Sequence, residues 1–231
     1  MTTIAANLQA VRARIAAACI AAGRPAAAVR LLAVSKTWPA ASVGEAIAAG
    51  QRAFGENYVQ EAVEKMAVVA GLHPDSGLEW HFIGPLQGNK TRTVAENFAW
   101  VHSVDRIKIA ERLSAQRPPD MAPLQICLQV NVSGEASKSG CAPAEVVTLA
   151  RAVTALPRLR LRGLMAIPEP SDDPAWQREQ FAALRRLRDA LDMELDTLSM
   201  GMSHDLEAAI MEGSTLLRIG TAIFGQRTYT T

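Results

Sequence analysis

Short apolar runs alternate with longer amphipathic stretches along nearly the whole chain, and this alternation predicts the fold more firmly than any single residue does. Runs at 31–35, 52–55, 79–84, 100–104, 124–131, 159–167, 197–200 and 216–219 are short and rich in Val, Ile and Leu. Such composition predicts strands of a parallel sheet whose two faces are both covered. The intervals predict helices. Residues 39–49 form one, closed by Gly50. Pro143 suits the first turn of another, with Val146, Val147, Ala150 and Val153 on one face. Asp173 and Pro174 open a third with the stripe Phe181, Leu184, Leu187 and Leu191, and Ser203 precedes a last short helix stopped by Gly213.

Eight strand–helix alternations predict an α/β protein, a single-domain (β/α)8 TIM barrel over residues 1–231. An extra helix precedes it, because Ile4, Leu8, Val11 and Ile15 recur at helical spacing and Gly23 with Pro25 ends the segment. The same residues, rich in alanine, with two arginines and no acid, also suit a transit peptide, but their periodicity favours a folded helix. An open doubly wound sheet is the rival architecture. It would carry a glycine-rich phosphate loop after its first strand, where this chain has Ser35-Lys36-Thr37-Trp38-Pro39.

Composition narrows the function classes. The 231 residues are 49% apolar and carry a formal net charge of +1, so bulk charge supplies no attraction to nucleic acid or membrane. No apolar run is expected to reach the roughly 18 residues of a membrane span. Cys19, Cys127 and Cys141 are odd in number and widely spaced, which suits a reducing, cytoplasmic setting and no metal site. Cys127 reads as a small core residue.

In a barrel, functional side chains gather where the strands end. Lys36, Asn57, Asn131 and Ser203 stand at or just after strand ends, and Arg218 lies inside the eighth strand, followed by Gly220 and Thr221. Leu32, Val34 and Lys36 share a strand face, so an inward leucine implies an inward ammonium, and a desolvated amine can attack a carbonyl. Lysine capping the strand toward solvent is the equal alternative. The loops Gly201-Met202-Ser203 and Gly220-Thr221-Ala222 offer flexible backbone, N–H groups and hydroxyls to an anion. The alternative is that Ser203 is an N-cap and Gly220 a tight turn, but the pairing of both loops favours the anion. Arg218 must be paired or hydrogen-bonded if it points inward, to a buried acid or otherwise. The chain has no P-loop, no H-E-x-x-H and no G-x-S-x-G. His73, His81, His102 and His204 lack ligand spacing, and His81 reads as an ordinary strand residue rather than a base.

Several ordered motifs resemble the pyridoxal phosphate homeostasis family, also called the PROSC or YggS family. They are Leu32-Ala33-Val34-Ser35-Lys36-Thr37, Phe54-Gly55-Glu56-Asn57-Tyr58-Val59-Gln60-Glu61, and His81-Phe82-Ile83-Gly84 with Leu86-Gln87 and Asn89-Lys90. Then come Val130-Asn131-Val132-Ser133-Gly134-Glu135 with Ser137-Lys138-Ser139-Gly140, Ser199-Met200-Gly201-Met202-Ser203 with Asp205, and Arg218-Ile219-Gly220-Thr221-Ala222-Ile223-Phe224-Gly225. The resemblance implies a barrel like the N-terminal domain of alanine racemase, with pyridoxal 5'-phosphate (PLP) bound at the strand ends. It implies that Lys36 carries PLP as an internal aldimine, that Ser203, Gly220 and Thr221 hold its phosphate, that Arg218 faces the pyridine nitrogen, and that Asn57 lies beside the cofactor. An arginine there keeps the ring nitrogen unprotonated and weakens the ring as an electron sink, which suits holding PLP, or at most racemase-like chemistry, more than transamination.

A non-enzymatic PLP carrier, passing cofactor transiently to apo-enzymes, is therefore the expected function, with an amino-acid racemase as the alternative. Racemisation needs acid/base groups on both faces of a planar intermediate. The sequence ends about ten residues after the eighth strand, so no second domain is expected to supply one, and Tyr58 and Tyr229 are the only tyrosines. The missing domain also makes a monomer the expected state. A class I aldolase would use the same lysine without cofactor.

Overall fold

The computed structural model describes residues 3–134 and 139–226. Glu135, Ser137 and Lys138 of the quoted motifs, and Tyr229, lie outside the described residues. Eight strands, β1 (Arg30–Val34), β2 (Ala53–Glu56), β3 (Glu79–Phe82), β4 (Trp100–Val104), β5 (Leu124–Gln129), β6 (Leu159–Met165), β7 (Thr197–Ser199) and β8 (Leu216–Ile219), pair in parallel and in sequence order. β8 closes the sheet on β1 through Leu32 opposite Arg218 and Ala33 opposite Ile219. The barrel and all eight predicted strands are present. The C-terminal ends of β1, β3, β5, β6 and β7 come one or two residues earlier than predicted, so Lys36 and Asn131 stand two residues beyond β1 and β5 rather than ending them.

The helices are α1 (Ile4–Ala21), α2 (Ala40–Ala48), α3 (Val59–Leu72), α4 (Thr91–Asn97), α5 (Ile107–Gln116), α6 (Val146–Thr154), α7 (Pro174–Asp189), α8 (Leu206–Met211) and α9 (Thr221–Phe224). Details of the predicted faces change. Pro143 opens a 3₁₀ turn that leads into α6, and Val147 is exposed because Val146, Leu149, Ala150 and Val153 form the buried stripe. Leu191 is buried but lies just past α7, and α8 is not the last helix, since the one-turn α9 follows β8.

In a (β/α)8 barrel the helix after the eighth strand packs between the helices that follow strands 7 and 1. Here α9 is a single turn, and α1 fills that seam instead, packing on α2, α8 and α9. Its stripe Ile4, Leu8, Val11 and Ile15 is buried as predicted, joined by Ala18 and Cys19. The expectation that no segment approaches a membrane span is corrected. By length and composition α1 qualifies, with mean hydropathy 1.2 over 18 residues. Alanine content raises the average, while the helix docks through Arg12 Nη1 to the Ala49 carbonyl at 3.1 Å and the Arg14–Glu207 pair at 2.9 Å.

Strand alternation separates two cores. Ala33, Phe54, Trp80, Phe82, Ile126 and Leu217 face the helices and belong to the main cluster. Leu32, Val34, Ile83 and Leu216 meet inside the barrel, and Trp100, Cys127 and Met165 form a second interior group. Cys127 is the small core residue expected of it. Between these apolar groups the interior is polar, an arrangement that begins with the site.

Candidate functional site

The two inward side chains Leu32 and Val34 set the face on which Lys36 emerges, and Lys36 is half-buried at the barrel mouth. The next peptide is turned sharply. Thr37 takes φ 68°, a left-handed conformation that a threonine adopts only when neighbours hold it. They do so by hydrogen bonds on the outward side. Thr37 N–H donates to Glu61 Oε1 at 2.6 Å, and Ser35 Oγ donates to Glu56 Oε1 at 2.7 Å. Lys65 Nζ donates to the Ser35 carbonyl at 2.8 Å, Glu56 at 2.7 Å and Glu61 at 2.8 Å. Burial pushes the Glu56 carboxyl up from its ordinary value, against the downward pull of Lys65. This buried cluster clamps both flanks of Lys36 and aims it into the barrel mouth.

Lys36 lines a cavity of about 220 Å³ together with Asn57, Ser203, Arg218, Gly220 and Thr221. Val34, Ile83, Ile167 and Met202 supply apolar walls, and Trp38 stacks on Phe224 with ring centroids 5.9 Å apart. All six sequence-derived site residues are thus brought together at the C-terminal mouth. Asn131 is not, since its Oδ1 accepts from Gly134 N–H at 3.1 Å and from Ser133 Oγ at 3.3 Å, and it shapes a turn instead.

Asn57 is placed by a close backbone approach. A Cβ at Gly84 would sit 2.3 Å from the Asn57 carbonyl oxygen, so only glycine lets the loop after β3 brace the loop after β2. The Oδ1 of Asn57 is buried and has no hydrogen-bond partner among the described residues. A buried orphan acceptor beside a cavity is the feature expected where a polar ligand completes the site. Ser203 Oγ accepts from Ala222 N–H at 3.2 Å, which ties the loop after β7 to the loop after β8. Asp205, not Ser203, stands at the N-cap of α8, so the cap reading of Ser203 is set aside. These donors, hydroxyls and lysine suit a small phosphorylated aldehyde.

Arg218 is 4% exposed and points inward. Its Nη1 donates to Ser199 Oγ and its Nη2 to the Ala166 carbonyl, both at 2.9 Å. Burial lowers its pKa to about 10, still far above neutral, so it stays a cation that can donate but not accept. Of the two alternatives left by the sequence, Arg218 is hydrogen-bonded, and no acid among the described residues forms an ion pair with it.

Sequence reasoning missed what lies beneath Arg218. His102 Nδ1 lies 2.8 Å from Ser199 Oγ, His102 Nε2 lies 2.9 Å from His81 Nδ1, and His81 Nε2 lies 2.8 Å from Glu79 Oε1. Arg30 Nη2 meets the same Glu79 oxygen at 2.5 Å. His81 is therefore more than the ordinary strand residue expected. The available signal was the polar pair Glu79 and His81 alternating with buried Trp80 and Phe82, once a closed barrel is assumed.

Residues 4–228 match the family described as "Alanine racemase, N-terminal domain". The "Pyridoxal phosphate homeostasis protein" of Pseudomonas aeruginosa is 65% identical over 229 residues, covering 99% of this chain and 98% of that one. The PipY structure of Synechococcus elongatus, solved with PLP bound, superposes with TM-score 0.84 at 38% identity, covering 96% of this chain and 100% of that chain. Alanine racemase of Corynebacterium glutamicum, at 17% identity and TM-score 0.69 over 95% of this chain and 62% of its own, shares the fold alone.

Proposed function

Since this chain belongs to the alanine racemase N-terminal domain family, and within it to the pyridoxal phosphate homeostasis proteins, we propose that it binds PLP reversibly and buffers its free level. The observation that carries the reading is the single cavity that gathers Lys36, Asn57, Ser203, Arg218, Gly220 and Thr221. When bound, PLP supplies an aldehyde that condenses with a primary amine, and Lys36 is the amine the clamp presents. Ser203, Gly220 and Thr221 would hold the phosphate, Asn57 would donate or accept beside the ring, and Arg218 would face the ring nitrogen. A guanidinium can only donate, so it cannot take a proton from the cavity and does not stabilise a protonated ring. That environment favours storage over turnover. Transient partners would be apo-enzymes that need the cofactor, reached in the cytoplasm by a monomer.

One observation keeps racemisation as a second reading. His204 lines the same cavity as Lys36, so two side chains able to exchange protons share it. Tyr58 is exposed and does not line the cavity, which removes the base first considered from within the barrel. D-alanine formation that disappears in both Lys36→Ala and His204→Ala would favour the racemase.

The deciding experiment is an absorption spectrum of purified chain after incubation with PLP, followed by borohydride reduction and peptide mapping. The expected result is a Schiff-base band that reduction fixes on Lys36 and that Lys36→Ala lacks. A wild-type chain that stays colourless in excess PLP refutes the reading.

A further inference from the structure

The interior of a (β/α)8 barrel is ordinarily packed with layers of bulky branched side chains. Here the middle of the barrel instead holds His81, His102 and Ser199, all completely buried and joined in a line to Arg218 at the mouth and Glu79 at the base. Glu79 begins β3 and Arg30 begins β1, so their ion pair sits at the opposite end of the barrel from the cavity.

The two ends fix every proton between them. Arg218 can only donate, so Ser199 Oγ accepts from it and its own O–H is free to donate to His102 Nδ1. His102 must then carry its proton on Nε2 and donate to His81 Nδ1. His81 in turn carries its proton on Nε2 and donates to the Glu79 carboxylate. The reverse order would point a bare imidazole lone pair at a carboxylate. The His81 hydrogen bond, with Arg30 adding to it, holds Glu79 well below the usual carboxylate range, and burial favours the neutral form of both rings, consistent with this single order. Aligned hydrogen bonds in a low-dielectric interior polarise one another, so Ser199 Oγ, the first acceptor in the line, is both oriented and made a stronger acceptor for Arg218.

We propose that the line Glu79–His81–His102–Ser199 is a positioning device, with both histidines neutral and protonated on Nε2, that couples the ion pair at the barrel base to Arg218 in the ligand cavity. It rests on the reading of that cavity as a PLP site, and it concerns how the guanidinium is aimed rather than whether PLP binds. Among the described residues the Glu79 carboxylate is bonded to Arg30 and His81 and to none that lines the cavity, so its effect travels through the rings. Replacing Glu79 by glutamine keeps an oxygen acceptor at the base, whereas alanine removes it.

Two measurements test this. Long-range ¹⁵N NMR of the PLP-free chain labelled at histidine should show His81 and His102 as neutral Nε2–H rings at pH 7, in wild type and in Glu79→Gln. A cationic ring or an Nδ1–H tautomer at either position overturns the proposal whether or not PLP binds. In the PLP-titrated protein, Glu79→Ala should move the absorption maximum and weaken binding about threefold to tenfold, the value of roughly one hydrogen bond. Glu79→Gln should restore wild-type behaviour. Unchanged spectrum and affinity in Glu79→Ala overturn the coupling. Should that variant not fold, Ser199→Ala replaces it with the same expected shift, and an unchanged Ser199→Ala is equally fatal. A wild-type chain that takes up no PLP defeats the cofactor reading and leaves the tautomer result to judge the line alone.

Discussion

His81 and His102 are completely buried, and that burial is the largest influence lowering their pKa from 6.5, with the neighbouring cations Arg30 and Arg218 adding to it at His102. The unfolded chain takes up protons on both rings as pH falls through 6.5, whereas the folded chain takes them up only at lower pH, lower still for His102 than for His81. Stability from these two groups is therefore complete above that value and is lost as pH falls, by up to about 1.4 kcal/mol per pH unit for each ring. Glu79 acts in a lower window: its pKa drops to about 2, so its contribution disappears only as pH falls from 4.5 toward 2. Urea denaturation between pH 7.5 and 5 should show stability falling with pH, and His102→Phe should flatten the slope by about one proton. A slope unchanged in the variant means that the ring titrates normally in the fold. The cavity residues Lys36, Ser203 and Arg218 were legible because they are polar positions within or just beyond the apolar strand runs. His81 and His102 were not, because a histidine in a strand has the same sequence signature whether it fills a core or joins a line. Only the closed barrel brings β3, β4 and β7 close enough to connect them.

At the scale of elements, all eight strands were readable from their apolar runs, since strands buried on both faces have little other composition available. Strand ends and the helical seam were less so. Where β6 meets β7, Gly163 faces Thr197, and a Cβ there would lie 1.7 Å from the Thr197 carbonyl, a constraint set by the partner strand and invisible in local sequence. The role of α1 was half legible: its stripe predicted a folded helix, but not that it replaces the helix expected after β8. That replacement makes α1 part of the barrel wall rather than an appendage. Leu8 is fully buried in the main core cluster, so Leu8→Ala should lower stability by about 2–5 kcal/mol in equilibrium denaturation, the range for truncating a well-packed leucine. A loss below about 1 kcal/mol would mean that the helix is loosely attached and that the remaining wall closes without it.

For the whole molecule, the barrel joins the cavity to global stability, because β1, β2, β7 and β8 each contribute a wall residue or the loop that carries one. Unfolding any of them scatters Lys36, Asn57, Ser203 and Arg218, so a ligand of this cavity binds the folded chain alone. Such a ligand at one hundred times its dissociation constant stabilises by about 2.7 kcal/mol. In a chain of this length each kcal/mol raises Tm by about 2–4 °C, giving an expected shift of about 5–11 °C with PLP. The net charge of +1 is too small to draw in an anion from a distance, so the shift should come from contacts in the cavity and change little with moderate salt. Lys36→Ala should keep part of it, because the loops after β7 and β8 can still grip a phosphate without the covalent anchor. Thermal melts of both proteins, with PLP and with inorganic phosphate at equal concentration, separate the contributions. A wild-type Tm that PLP leaves unmoved would show that the cavity does not hold it. Equal shifts in wild type and Lys36→Ala would show that Lys36 adds nothing to binding.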